Sequence, residues 1–456
     1  MKKSSTDLTE GNIVKLIIAF ALPVFIGQIF QNLYNSVDAI VVGQFVGTTA
    51  LAAVSSCSDI SMLLTGFFTG LSTGAGVLFS RYFGAKDYRN LHDAIHTALA
   101  FALLLGVFMA IAGILLTPLL LRVVDCPADV YIEAERYLRI YLVGILFTAI
   151  YNVGAGVLRA VGDSRSPFYY LLISSVANIV LDLAAVVWLN MGVIGVAVAT
   201  ICAQGLSVFL VFRRLICTAD VYKVTLKDLR LQKELLLQVL DLGIPAAIQA
   251  SLISISNLFV QRYINGFGSA AMAGIGAAKK IDKFAGLISQ SVGLTATTFI
   301  SQNCGAGKLN RAFRGIRACL IICGVCVAAL GIPIYLFAGF FVRIFTTDES
   351  AVSYGIAMIH TMMPLYYCQA LNQVFSNTVR GFGKSRAVMV LSLLGMIGCR
   401  QLWLAISMGI NSSVTNIFIG YPVGWFFSAF FVFLYYWFAV RKKYKAAAVQ
   451  SGMAAV

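Results

Sequence analysis

Apolar residues in this chain come in runs of about twenty, separated by short stretches rich in Lys, Arg, Gly and Asp. Twenty residues at a rise of about 1.5 Å each match the roughly 30 Å hydrocarbon core of a bilayer. Twelve such spans can be marked, at 13–41, 50–80, 93–117, 133–157, 165–188, 192–213, 236–262, 270–300, 312–341, 352–377, 386–409 and 415–440. Backbone in lipid must satisfy its own hydrogen bonds, so the pattern predicts an all-α integral membrane protein. The first run lacks the short core and small-residue cleavage site of a signal peptide and is read as a retained span. The longest connection, 214–235, is charged and amphipathic. It divides an N-terminal six-helix bundle (1–213) from a C-terminal one (236–440), leaving a basic tail at 441–456.

Polar residues break the apolar pattern most tellingly in span 1. Between Phe20 and Gly43 it carries Gln28, Gln31, Asn32, Asn35 and Asp38. At about 100° per residue these fall within an arc of roughly 120°, a single polar stripe. An Asp at membrane depth costs roughly 2.5–3.5 kcal/mol on insertion scales, so it marks function by default. Pro23 lies about four turns earlier, removes one backbone hydrogen bond and marks a bend.

Composition agrees with the span count: of 456 residues 59% are hydrophobic and 12% charged, half the charge of a soluble domain. A net charge of +15 suggests nucleic acid only until the basic residues are placed. Alternate connections hold 24 Lys and Arg, against 5 on the opposite side. That asymmetry puts both termini in the cytoplasm of a multi-pass protein of the bacterial cell membrane, with its cations as anchors to lipid headgroups. No nucleic-acid partner is expected.

The two halves repeat. Pro23 matches Pro245 and Phe45 matches Phe267, each 222 apart; SRYFGAKD (80–87) resembles SQNCGAGK (301–308), and LRAVGDSRS (158–166) resembles VRGFGKSRA (379–387), each 221 apart. Six spans per half mean that both enter the membrane the same way. Their pseudo-two-fold axis is therefore expected along the membrane normal, with a substrate path between the bundles.

Inside the spans the first half carries Asn152, then Asn178 and Asp182 one turn apart, then Thr200 and Gln204 one turn apart. With Asn35 and Asp38 they supply the oxygens a hard cation takes, and two converging carboxylates can instead hold a proton. The alternative is that each only hydrogen-bonds a neighbouring helix. The second half drops the acids: Val260, Cys399 and Trp403 stand where Asp38, Asn178 and Asp182 would repeat. It has Lys279, Lys280 and Lys283 with Asp282 in span 8, and Arg400 in span 11. Four cations and one acid cannot all pair, which favours a watery cavity over lipid. Either Lys279 or Lys283 pairs with Asp282 while Arg400 binds backbone carbonyls, or the group forms a basic wall that contacts anionic substrate groups or pairs with the first half in one transport state. Gly66, Gly70 and Gly74 make a tandem small-residue stripe for close helix packing or sliding. Pro364 and Pro422 are further kink candidates.

No enzyme constellation appears. His92 and His96 sit four apart at a helix start, where a solvated end is the simpler reading than a metal site. With no GxxxxGK[ST] motif, pumping would have to run on an ion gradient.

Taken together, VDAIVVG around Asp38, LRAVGDSRSP after span 4, NIVLD in span 5 and GAGK after span 8, in two six-span halves, resemble multidrug and toxic compound extrusion (MATE) transporters. The resemblance covers residues 10 to 440. It implies antiport, in which inward Na⁺ or H⁺ drives export of amphipathic, often cationic compounds. It places a cation site on Asp38, Asn178, Asp182, Asn152 and Thr200, and a bending span 1 on Pro23. NorM-type members have acids in spans 7 and 10, where this chain has Gln249 and Asn372. That departure favours coupling in the first half alone. The expected substrate cavity is Gln28, Asn35, Gln204, Gln249, Lys279, Lys280, Lys283, Asn372 and Arg400. No cofactor or resident metal is expected beyond the coupling ion. Small amphipathic substrates and membrane lipids are the expected partners of a monomer. The alternative function is a flippase for lipid-linked or anionic amphipathic substrates of the same superfamily.

Overall fold

The computed structural model describes residues 7–124 and 126–444, without the side chains of Asn35, Ala39, Thr48 and Asp59. Most of the basic tail, from 445, thus lies outside the described residues. The described chain is helical, with ten helices long and apolar enough to cross a membrane. In chain order they are α1 (Ile13–Val46), α2 (Thr49–Gly84), α3 (Tyr88–Val123), α4 (Tyr131–Ala160), α5 (Arg165–Trp188), α6 (Gly192–Cys217), α7 (Lys233–Asn265), α9 (Leu309–Leu336), α11 (Ser385–Ile410) and α12 (Val414–Tyr444). Two more helices fall on the remaining expected spans. The first, α8 (Ser269–Gly305), is made more polar by Lys279, Lys280, Asp282 and Lys283. The other, α10, runs Glu349–Met362, breaks into a 3₁₀ turn at Met363–Leu365 around Pro364, and resumes as Tyr366–Gly381. The helices run unbroken across Pro23, Pro245 and Pro422.

The chain forms two compact units, one built from Ile26–Ala247, the other from Leu8–Phe25 and the chain from Ile248 onward. Helices α1 and α7 each contribute to both, and each changes unit two residues after its proline. Residues 214–235 belong to the first unit.

In the first unit that connection is packed, not a solvated tether. Tyr222 and Val224 are fully buried in a core with Leu91, Ile95 and Leu215. His96 is buried too, which corrects the expectation of a solvated end. Its Nδ1 sits 2.7 Å from the His92 carbonyl and its Nε2 3.0 Å from the Thr225 amide. The carbonyl must accept and the amide must donate, so the ring carries its proton on Nδ1. Thr97 adds bonds to the Arg230 carbonyl and the Gln232 amide, and Arg230 pairs with Asp93 at 3.3 Å.

Two glycines of the α2 stripe mark close backbone contact. A Cβ on Gly70 would lie 2.6 Å from the Ala246 carbonyl oxygen, and one on Gly74 would collide with the Leu242 carbonyl, both on α7. Only a hydrogen at these two positions lets the backbones meet.

In the second unit, α8 through α12 and the first turns of α1 share one core. The SQNCGAGK motif clamps the segment before α1. Gln302 accepts the Leu8 amide at 3.0 Å, and Asn303, Lys308 and Arg311 donate to carbonyls of Leu8, Thr9, Glu10 and Gly11.

The duplication survives in the backbone. Positive φ recurs at Gly47 and Gly268, Lys86 and Gly307, and Gly162 and Gly383, each 221 apart. One crossing exchanges its partners. In the first unit Gly156 of α4 faces the Ser72 hydroxyl of α2; in the second, Gly293 of α8 faces the Asn377 amide of α10. Ser72 corresponds to Gly293 and Gly156 to Asn377, so the small residue has moved to the other helix while the gap is kept.

Two outcomes test these packings. Gly74→Ala should destabilise the protein by about 1–3 kcal/mol through overpacking, seen as a lower melting temperature, whereas Gly76→Ala, whose Cβ meets nothing nearer than 4.0 Å, should not. His96→Ala leaves the Thr225 amide without its acceptor, a loss of about 1–3 kcal/mol, and limited proteolysis should cut residues 218–232 faster.

Candidate functional site

Asp38 sits late in α1, and Asn178 and Asp182 sit one turn apart on α5. The structure brings the two carboxyl groups within hydrogen-bond reach of one another. Asn178 and Asp182 are almost fully inaccessible, at 1% and 0% exposure. Oδ1 of Asp38, both oxygens of Asp182 and both amide atoms of Asn178 are buried with no hydrogen-bond partner among the described residues. Most buried polar atoms in folded proteins are paired, because a lost partner costs about 1–3 kcal/mol and more for a charge. Five such atoms cluster on one pair of helices, where a proton, a cation or an ordered water could supply what the carboxylates lack.

Local backbone supports the placement. After Asp38, α1 passes into a π-helical turn at Val42–Val46, and directly after Asp182, α5 does the same at Ala184–Trp188. The two π turns pack on each other. Such turns loosen the i→i−4 ladder and concentrate at functional sites.

Around the acids stands a group the sequence reading missed. Tyr34 lies in electrostatic reach of Asp38, Asp182, Tyr141 and Tyr151. Tyr137 and Tyr141 stack with ring centroids 6.0 Å apart, and Tyr141 reaches Ser61 and Thr65. Tyr34 is four residues before Asp38, a spacing that could have flagged it; the three tyrosines of α4 come from across the fold and gave no local signal.

Of the remaining first-half candidates, Asn152, Thr200 and Gln28 are already engaged. Asn152 donates to the Thr148 carbonyl at 2.8 Å and accepts from Thr69 at 3.3 Å. Thr200 donates to the Val196 carbonyl of its own helix at 2.9 Å. Gln204 keeps a buried, unpartnered Oε1 and packs on Gly144. Gln28 has its own partners, its carbonyl accepting from Asn32, and the side chain of Asn35 lies outside the described residues.

In the second unit Asn372 is tied into the core, accepting from Ser428 at 2.6 Å and Ser376 at 3.3 Å. Gln249 accepts from Arg380 at 2.8 Å, a residue the sequence reading counted among the loop anchors. Lys279 donates to Gln261 at 2.7 Å, not to Asp282, and Lys280 lies 5.2 Å over the Phe345 ring. Lys280 and Lys283 are exposed. Arg400 is 3% exposed and bonds the side chains of Asn257 and Ser256, where backbone carbonyls were the expected partners.

Comparison with known proteins agrees with this architecture. A family model described as MatE matches residues 23–184 and 245–402, two segments that open on Pro23 and Pro245. Among curated relatives, the probable multidrug resistance protein YoeA of Bacillus subtilis is 29% identical over 435 residues, 93% of each chain. The multidrug export protein MepA of Staphylococcus aureus is 21% identical over 84% of this chain and 85% of its own. A solved MOP superfamily transporter from Pyrococcus furiosus, described as having a binding pocket of reverse polarity that suggests a different function, superposes with a TM-score of 0.90. It is 24% identical and covers 98% of this chain and 99% of its own. The family match takes in well over half of the residues, the two-bundle fold is that of the solved MATE transporters, and the chain belongs to the MatE family of membrane transporters and is not an enzyme.

Proposed function

We propose that this protein is a secondary-active antiporter of the bacterial cell membrane. It exports small amphipathic compounds by alternating access, driven by inward Na⁺ or H⁺, with both termini cytoplasmic. The convergence of Asp38 and Asp182 without donors carries the reading. Two carboxylates side by side in low dielectric repel each other and are poorly solvated. Entry of one proton or one Na⁺ relieves both costs, so the loaded and unloaded forms differ sharply in local energy. A carrier needs that difference, because a ligand shifts a conformational equilibrium only by its differential affinity for the two states. Asn178, with an unused donor and an unused acceptor beside Asp182, can coordinate Na⁺ through its oxygen or steady a protonated carboxyl through either group. Pro23, close to where α1 changes unit, leaves one backbone bond unmade and lowers the cost of bending there. The names of YoeA and MepA support multidrug compounds as cargo.

Asp38→Asn should reduce export of ethidium from energised cells to the level of cells lacking the protein, at equal amounts in the membrane; wild-type export would sink the reading. In proteoliposomes, Asn178→Ala should raise the half-saturating concentration of the coupling ion about tenfold while leaving the dye KM within twofold. Imposing Na⁺ and pH gradients separately identifies the ion, and export that ignores both gradients would count against antiport.

A further inference from the structure

One row of polar side chains in the second unit takes no part in the cation site. On α7, Asn257, Gln261 and Asn265 are four apart and so share a face. Arg400 of α11 donates to Asn257 at 2.9 Å, Lys279 of α8 donates to Gln261 at 2.7 Å, and Gln261 passes a bond to Asn265 at 2.9 Å. The cations are thus held by neutral amides. Amides satisfy geometry but cancel no charge, and an uncompensated charge at membrane depth costs several kcal/mol.

Among the described residues no acid forms an ion pair with Lys279, Lys280, Lys283 or Arg400. Lys279 lies in electrostatic reach of both Arg400 and Asp282. One carboxylate cannot neutralise Lys279, Lys283 and Arg400 together. Arg400 also keeps a buried Nε with no partner among the described residues, and Lys279 commits one of its three Nζ protons to Gln261. Donors therefore remain beside an excess of positive charge.

A half-buried tyrosine adjoins them, backed by buried aromatic rings. The Arg400 guanidinium lies 5.6 Å from the Tyr421 ring, Tyr421 lies 6.4 Å from Trp425, and Trp425 lies 5.3 Å from Tyr366. The tyrosine hydroxyl of Tyr366 then donates to the Asp282 carbonyl at 3.0 Å. A π-helical turn at Leu394–Cys399 runs directly into Arg400, as π turns follow the acids of the first unit.

We propose that the face formed by Asn257, Gln261, Lys279, Lys283 and Arg400 is an anion subsite, and that the exporter accepts amphipathic anions, a carboxylate or sulfonate head on an aromatic body. The head lies against Lys279 and Lys283 and takes the free donors; the ring system rests on Tyr421, which the buried Trp425 and Tyr366 hold in place. The inference rests on the transport reading above but not on which ion drives it.

The test uses the full-length protein in proteoliposomes under the driving gradient, with 8-anilinonaphthalene-1-sulfonate as the anionic probe and ethidium as the cationic one. Wild type should move the sulfonate. Lys279→Gln should raise its KM about tenfold, well beyond any change in the ethidium KM. Lys279→Arg should restore the sulfonate KM, and Lys283→Gln, at an exposed position, should weaken sulfonate alone without disturbing the fold. Asp38→Asn should stop both probes. Transport of ethidium but not sulfonate by wild type overturns the anion subsite and leaves the exporter intact. So does a sulfonate KM unchanged in both Gln variants. Movement of neither probe overturns the exporter and the subsite with it.

Discussion

Hydrocarbon offers no hydrogen bonds, and every level of this protein answers that fact. Backbone groups close on themselves as helices, because an open N–H or C=O in lipid costs several kcal/mol. Helices cannot be driven together by burying apolar surface that lipid already solvates, so they meet where side chains are smallest. Gly70 and Gly74 against the α7 backbone, and the Gly156–Ser72 and Gly293–Asn377 crossings, are that rule at work. Hydroxyls in the spans turn inward onto carbonyls of their own turn, as Thr200, Ser291 and Thr295 do. Against this background an orphaned polar atom is costly, and among those without a partner in the described residues five cluster at Asp38, Asn178 and Asp182.

Duplication supplied a frame and the side chains diverged within it. Positive-φ positions recur at an interval of 221 residues, because a turn between helices fixes the entry angle of the next. Side chains inside the frame were free to change where the gap was preserved, as the exchange of Gly and polar partner between α2/α4 and α8/α10 shows. The acids lie in the first unit and the intramembrane cations in the second, apart from Asp282.

Some expectations failed for a common reason. His96 looked like a solvated helix end, because its partner, the Thr225 amide, is 129 residues away. Asn372 looked like a cavity residue, yet Ser428 and Ser376 consume its oxygen. Arg380 sat in a loop motif with anchoring cations and instead holds Gln249. In each case residue type was visible but the partner was not, since a long-range hydrogen bond leaves no trace in local spacing.

Apolar periodicity, the charge asymmetry of the connections and the repeat were enough to establish an all-α membrane protein of two related halves, and the cost of a carboxylate in lipid singled out Asp38 and Asp182. These are properties of single segments and their spacing, set by helix geometry and transfer free energy. Only the tertiary structure decided which polar residues are spent on packing and which are left without partners. It removed Asn152 and Thr200 from the set of unpartnered groups, kept Asn178 in it, brought Tyr34 and Tyr137 into reach of the acids, and hung Arg400 and Lys279 on neutral amides. Satisfaction of a buried group depends on what the other helices bring to it, and that is settled when the helices meet.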